Sequence, residues 1–213
     1  MNKSFDRYFL LAGFIGVVFY LLHVLIGGIL WQGYNHLQQP ISDLTGSGAP
    51  NRSILLVLTT AYGLCCLFFA VNLIVYSKRH FNSTVLIGAI IFFSMHLVSF
   101  FYNFFPEDMI SSKPTFSGTM HIVLTIAIIP LSISAPVVMG IGFKRLSTMA
   151  HLGIYSIISC ILIFIFGGTT AIFYANKLPF FGLAERVNIG VLQMWTAVIS
   201  ITLFRMYDVI KTT

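Results

Sequence analysis

The residues with the clearest chemical potential are polar side chains that recur at helical spacing inside apolar segments. His96, Ser99 and Asn103 follow an i, i+3, i+7 pattern, which places all three on one face of a helix. An ionisable side chain at membrane depth costs free energy, so by default it marks a functional site that faces the bundle interior. We therefore predict that His96 and Asn103 bind a substrate or ligand.

Two further apolar segments carry polar stripes of the same kind. They consist of Ser117, His121 and Thr125 in the fourth segment and of Arg186, Gly190, Gln193 and Thr196 in the sixth. All three stripes occupy the same half of the predicted bundle, which indicates a polar funnel open on one side, with Arg186 and Gln193 among its binding residues. Hydrogen bonds that only join helices, worth about 0.6 kcal/mol each, would produce a similar pattern without a site.

Six long apolar stretches must position these residues. Of the 213 residues 57% are hydrophobic and 8% are charged, whereas a soluble domain carries about 25% charged residues. A membrane-spanning helix needs about 20 apolar residues. Such stretches occur at about 8–31, 53–76, 83–105, 118–143, 150–174 and 187–207. We predict an all-α fold: one domain over residues 1–213 that is a polytopic transmembrane bundle of six helices.

The charged residues divide between the two sets of loops. The odd-numbered loops contain Asp43, Glu107, Asp108 and Glu185, and the even-numbered loops contain Lys78, Arg79, Lys144 and Arg145. The positive-inside bias predicts that both termini are cytoplasmic and that the acidic loops face outward. We expect a multi-pass protein of the cell (cytoplasmic) membrane. The cations occur in scattered pairs rather than in one patch, so we expect no nucleic-acid partner.

The two longer odd-numbered loops carry residues that cap helices. In the first loop, Ser42 or Asp43 is expected to cap a short helix at the membrane surface. In the second loop, Thr115 or Ser117 is placed to cap the fourth spanning helix.

The same loops carry side chains that could hold a metal ion. A catalytic zinc needs about three nitrogen or oxygen ligands, an open water position and a carboxylate that moves protons. His121 and Asp108 are the predicted metal ligands, with Asp43 or Glu185 completing a catalytic group, and Arg186 is placed to clamp an anionic headgroup. We predict a metal-dependent hydrolase or another handler of a lipid or amphipathic substrate. No two histidines are three or four residues apart, and there is no HExxH motif.

Two alternatives stay open. His23 and His96 lie at matched predicted depth in the first and third helices, an arrangement that suits the axial ligands of a haem. The funnel could instead bind a solute in a transporter, receptor or membrane-assembly subunit, although six helices are few for a carrier unless it forms an oligomer. The cofactor is therefore left as a divalent metal or haem. The expected partners are membrane lipids and a lipid or small amphipathic ligand.

Three short motifs lie next to the predicted helices. They are Ile41-Ser42-Asp43-Leu44 with Asn51 beyond it, Phe105-Pro106-Glu107-Asp108 with His121 beyond it, and Gly182-Leu183-Ala184-Glu185-Arg186. Their order and spacing resemble the bacterial and archaeal membrane family known as domain of unknown function 998. The resemblance spans essentially the whole chain and implies a six-helix membrane protein, without an established activity. It supports roles for Asp43, Asn51, Pro106, Asp108, His121, Glu185 and Arg186.

Overall fold

A computed structural model of the protein describes residues 5–109 and 113–212. Its six long helices, α1 to α6, are Ala12–Leu30, Arg52–His80, Ser83–Phe100, Phe116–Lys144, Ala150–Ala175 and Phe181–Thr212. Short helical turns at Phe5–Phe9, Ser42–Thr45, Phe101–Asn103 and Ser147–Met149 precede or extend them. All six long helices are of sufficient length and hydropathy to span a membrane. The predicted all-α, six-helix fold is confirmed, and the chain is a multi-pass membrane protein.

The helices pack side by side in chain order, and α6 closes the ring against α1. The even-numbered connections are short, at residues 81–82 and 145–149, so neighbouring helices run antiparallel. The three odd-numbered connections, residues 31–51, 104–115 and 176–180, therefore meet at one end of the bundle. We call this the acidic end, and we call the opposite end the basic end.

The two halves of the bundle have different cores. Large apolar side chains, among them Phe92, Met139 and Trp195, fill the half nearer the basic end. A smaller cluster around Leu44 and Leu55 holds the first odd-numbered loop against the helices at the acidic end. The first odd-numbered loop is therefore packed onto the bundle by its own apolar cluster.

The sixth helix begins earlier than the sequence predicts. The predicted start at about 187 excludes Glu185 and Arg186 from the apolar run, because their charges interrupt it. The helix instead begins at Phe181, and the Arg186 guanidinium donates to the Gly182 carbonyl one turn earlier. The charges lie at the polar end of the span, where a helix tolerates them.

The capping predictions have opposite outcomes in the two loops. The turn Ser42–Thr45 has Ile41 as its N-cap and no side-chain capping bond, so the expected cap by Ser42 or Asp43 is wrong. The Asp43 carboxylate instead accepts from the Gln39 amide at 3.4 Å. Thr115 is the N-cap of α4, and its hydroxyl accepts from the Gly118 backbone N–H at 3.1 Å.

Candidate functional site

Arg186 joins the start of α6 to the first odd-numbered loop. Its Nη1 donates to the carbonyl oxygens of Gln39 and Gly182 at 2.8 and 2.9 Å. Its Nη2 donates to the Tyr34 hydroxyl at 2.5 Å, and that hydroxyl donates to the Pro40 carbonyl at 2.6 Å. These partners are all uncharged. The loop backbone is therefore fastened to α6 by a guanidinium that keeps its positive charge.

The loop can approach α6 this closely because residue 182 is glycine. A Cβ at this position would collide with the backbone oxygen of Gln39. The Leu183 backbone N–H also donates to the Leu37 carbonyl at 3.0 Å. A short stretch of loop backbone thus lies directly on the first turn of the helix.

Glu185 makes a separate contact with the same loop. Its carboxylate accepts from the Ile41 backbone N–H at 2.6 Å. Among the residues that the structure describes, no carboxylate oxygen lies within 4.0 Å of the Arg186 guanidinium nitrogens. The ion pair found in the described part of the chain is Arg7–Asp208. Glu185 and Arg186 therefore make their hydrogen bonds to different points of the loop and not to each other.

Asp43 is the most buried carboxyl group of the acidic end, with an exposed fraction of 3%. Burial, and then the nearby Glu107 carboxylate, raise its pKa from 3.8 to about 6, against the opposing effects of the Gln39 amide and Arg186. Glu107 also accepts a 2.7 Å bond from the Ser47 N–H through its backbone oxygen. Carboxyl groups from the first and second odd-numbered loops are thus electrostatically coupled.

A groove of about 280 Å³ lies between α1 and α6 directly below Arg186. Its walls are Leu21, Val24, Leu25, Ile41, Ile189 and Gly190, and its polar lining is Tyr20, His36, Arg186 and Gln193. We call it the α1–α6 groove. Leu21 and Leu25 are 56% and 57% exposed on its α1 side, so in a membrane they face lipid. An apolar trough with a cation at its upper end suits an amphipathic molecule.

Two polar side chains near Arg186, His36 and Tyr34, are uncharged near neutral pH. Burial, and then the positive charge of Arg186, lower the pKa of His36 below 6.5. Burial raises the pKa of Tyr34 to about 12, although Arg186 opposes this. Arg186 is therefore the source of positive charge at this site.

Asp108 and His121, the predicted metal ligands, hold the connection between α3 and α4. The two Asp108 carboxylate oxygens accept from the Thr115 N–H and hydroxyl, each at 2.7 Å. His121 Nδ1 lies 2.9 Å from the Phe105 carbonyl oxygen. That oxygen can only accept, so Nδ1 is the donor in this bond.

A metal site would need more ligands than these two. Among residues 5–109 and 113–212, no three His, Cys, Asp or Glu side chains gather closely enough to hold a metal ion. The metal site at His121 and Asp108 stays a prediction. Asp43 and Glu185, either of which was expected to complete it, accept hydrogen bonds from Gln39 and from the Ile41 backbone, respectively.

The predicted residues inside the bundle divide into two groups. His96 and Gln193 lie on either side of Tyr62: the Gln193 amide donates to the Tyr62 hydroxyl at 2.9 Å, and the His96 and Tyr62 rings are 6.0 Å apart. Asn103 instead bonds to Thr59 at 2.7 Å. No described residue bonds to the ring nitrogens of His96, so the stripe shared with Ser99 and Asn103 is not a hydrogen-bonded unit.

His23 and His96, the two predicted haem ligands, each contact a different tyrosine. The His23 ring is 5.8 Å from the Tyr20 ring, which is 5.1 Å from the Tyr62 ring. Haem binding by the two histidines stays a prediction. Asn51 has a structural contact, since its side-chain amide donates to the Leu30 carbonyl at 3.1 Å and fixes the end of α1 to the start of α2.

Sequence reasoning missed the residues of the first odd-numbered loop that complete the site. The sequence pattern predicts no site role for Tyr34, His36 and Gln39, although a tyrosine, a histidine and a glutamine within six residues are an available signal. Glu107 was recognised as acidic but not as a neighbour of Asp43. Both omissions come from loop folding, which brings together residues far apart in the chain.

Comparison with known proteins gives a single match. The model of a family described as protein of unknown function, DUF998, matches residues 14–202. No curated protein and no solved structure matches the chain. The predicted family resemblance is thereby confirmed over most of the sequence.

Proposed function

The chain belongs to the DUF998 family, and we propose that it binds an amphipathic molecule with an anionic headgroup in the α1–α6 groove. The acidic end then faces outward from the cytoplasmic membrane, and the ligand enters sideways from the outer leaflet. The proposal covers a lipid or a lipid-like substrate. The family description adds no activity, and the groove itself supports the proposal.

The observation that carries the proposal is that the Arg186 guanidinium lies at one end of an apolar groove without a direct ion pair to a described carboxylate. Three of its five N–H donors bond to Gln39, Gly182 and Tyr34. One Nη2 hydrogen remains for a ligand, because the Nε atom is buried and has no partner among the described residues. A cation at the edge of a low-dielectric region attracts an anion more strongly than one in water. The planar guanidinium also matches the oxygens of phosphate and carboxylate groups.

The shape of the groove supports the same ligand class. Its α1 wall consists of exposed leucines that meet acyl chains in a membrane. Gly190 leaves space in the α6 wall, because a Cβ there would have no atom within 4 Å. A chain lying along Leu21, Leu25 and Gly190 would place its headgroup at Arg186.

Competitive lipid binding tests the proposal. The purified protein in neutral detergent is offered equal amounts of phosphatidylglycerol and phosphatidylcholine, and bound lipid is counted by native mass spectrometry. We expect wild type to retain the anionic lipid preferentially and Arg186→Gln to lose about tenfold of that preference, the effect of one charged hydrogen bond. Equal retention by the wild type would overturn the proposal.

Arg52 provides a matched control. It is an arginine of the same end, and its Nε donates to the Thr45 carbonyl at 3.2 Å, away from the groove. Arg52→Gln removes the same charge and should keep the preference for anionic lipid. If Arg186→Gln lowers thermal stability, Arg186→Lys, which keeps the charge, should restore part of the preference. Equal losses in the Arg52 and Arg186 variants would show a general charge effect instead of a site.

A further inference from the structure

Several polar atoms lie buried without a hydrogen-bond partner in the part of the chain that the structure describes. They include both ring nitrogens of His23, both ring nitrogens of His96 and Oε1 of Gln193. These side chains are 3%, 2% and 4% exposed. Buried polar groups in proteins are as a rule hydrogen-bonded, and an unpaired one costs free energy. Their presence therefore points to a polar group that bonds in this region.

Two tyrosines connect these side chains into one group. Tyr20 is in ring contact with His23 and with Tyr62, and Tyr62 is in ring contact with His96. The Gln193 amide donates to the Tyr62 hydroxyl. We call Tyr20, His23, Tyr62, His96 and Gln193 the interior polar cluster. It is built from α1, α2, α3 and α6, and its members His23, His96 and Gln193 are buried inside the bundle.

The interior polar cluster adjoins the α1–α6 groove. Tyr20 and Gln193 belong to the cluster and also line the groove. Gln193 follows Arg186 by seven residues, or two helical turns, so the two side chains share a face of α6. At 1.5 Å per residue they are about 10.5 Å apart along the helix. A molecule with its headgroup at Arg186 would therefore reach Gln193 with the middle of its chain.

We propose that the ligand of the groove carries an uncharged hydroxyl group in its chain, about 10 Å from its anionic headgroup, and that the Gln193 amide binds this hydroxyl. A hydroxyl both donates and accepts, which matches the unpaired amide oxygen and the imidazoles behind it. A charged group at this depth would lose its hydration without a counter-charge, which excludes it. The inference rests on the proposed function and specifies its ligand as a hydroxylated long-chain amphiphile.

Two synthetic probes test the inference. One is dodecyl phosphate, and the other is the same molecule with a hydroxyl roughly seven carbons from the phosphate, which matches the separation of about 10.5 Å between Arg186 and Gln193. Affinities are measured by titration of the full-length protein in neutral detergent. We expect the hydroxylated probe to bind about threefold to tenfold more tightly, as one neutral hydrogen bond provides. An isomer with the hydroxyl next to the phosphate should show no gain.

Two variants assign the gain to the Gln193 amide. Gln193→Met keeps the length of the side chain and should bind both probes equally, at the affinity of dodecyl phosphate. Tyr62→Phe removes the same Gln193–Tyr62 hydrogen bond but keeps the amide, so it should retain the preference for the hydroxyl. Preference lost in both variants would assign the gain to packing and overturn the inference.

The probes also separate this inference from the proposed function. If neither probe binds to the wild type, the groove is not an amphiphile site and both claims fail. If both probes bind equally to the wild type, the groove binds anionic amphiphiles and only the hydroxyl inference fails.

Discussion

Adjacent residues of the acidic end have divided roles. Glu185 accepts from the Ile41 backbone and Arg186 donates to Gln39 and Tyr34, so each fastens a different point of the same loop. Glu185 is thus held to the loop backbone and forms no direct ion pair with the Arg186 guanidinium.

Asp43 gives a prediction about pH. Its pKa of about 6 in the folded protein exceeds the ordinary 3.8, so between these pH values the folded state holds a proton that the unfolded state releases. Stability contributed by Asp43 is therefore greatest below pH 4 and is lost as the pH rises to 6. The difference between the two pKa values corresponds to about 3 kcal/mol.

Asp43→Asn removes this ionisation while it keeps an acceptor for Gln39. We expect the thermal midpoint of the variant in detergent to match wild type at pH 4 and to exceed it at pH 7.5. The difference should grow through the interval from pH 4 to 6 and then stay constant. A variant that is less stable than wild type at pH 7.5 would show that the native state requires the carboxylate.

The sequence predicted single residues better than it predicted their partners. Asp43, Glu185 and Arg186 are recognisable because charge at the end of an apolar segment is visible in the chain, and all three bond within or to the first odd-numbered loop. Their catalytic and binding roles stay predictions. Tyr34 and His36 were missed because their proximity to Arg186 depends on the path of a loop. Asp108 and His121 bond to backbone groups of Thr115 and Phe105, and backbone partners of this kind carry no sequence signal.

At the scale of elements, the α1–α6 groove depends on two glycines of α6. Gly182 admits the loop backbone against the helix, and Gly190 leaves one wall of the groove open. The six spans followed from hydropathy, since a run of about 20 apolar residues has few other structures. The start of α6 did not follow, because a helix can continue through charged residues where its end reaches the membrane surface.

Filling the groove with a side chain should block ligand binding without harming the fold. We predict that Gly190→Leu binds anionic lipid at least tenfold more weakly than wild type, because the new side chain occupies the chain site. Helix propensity adds about 0.8–1 kcal/mol of stability, so the thermal midpoint should stay equal or rise. Native mass spectrometry and a thermal melt measure the two effects.

Gly168 is the matched control for this variant. It is also an exposed helical glycine with no atom within 4 Å of a built Cβ, and it lies on α5 outside the groove. Gly168→Leu should gain similar stability and bind lipid as the wild type does. Equal loss of binding in both variants would mean that lipid binds to the general apolar surface.

At the scale of the whole molecule, the proposal requires that the acidic end face outward. The positive-inside bias predicts this orientation, and Ser47 and Ser147 are exposed at the acidic and basic ends, respectively. Cysteine introduced at Ser47 should react with a membrane-impermeant thiol reagent in intact cells, and cysteine at Ser147 should react only after lysis. The unsubstituted protein measures background from its own cysteines. The reverse pattern would place the groove in the cytoplasmic leaflet.

Photo-crosslinking in vesicles tests amphiphile binding in the α1–α6 groove most directly. The probe is an anionic phospholipid with a photoreactive group in its acyl chain, and labelled peptides are identified by mass spectrometry. Binding in the α1–α6 groove predicts labels concentrated at Leu21 and Leu25. These labels should be lost when excess unlabelled anionic lipid competes. Val57, Ile126 and Phe164 are at least as exposed on other helices and provide the comparison. Labels spread evenly over all five side chains, without competition, would contradict a specific site.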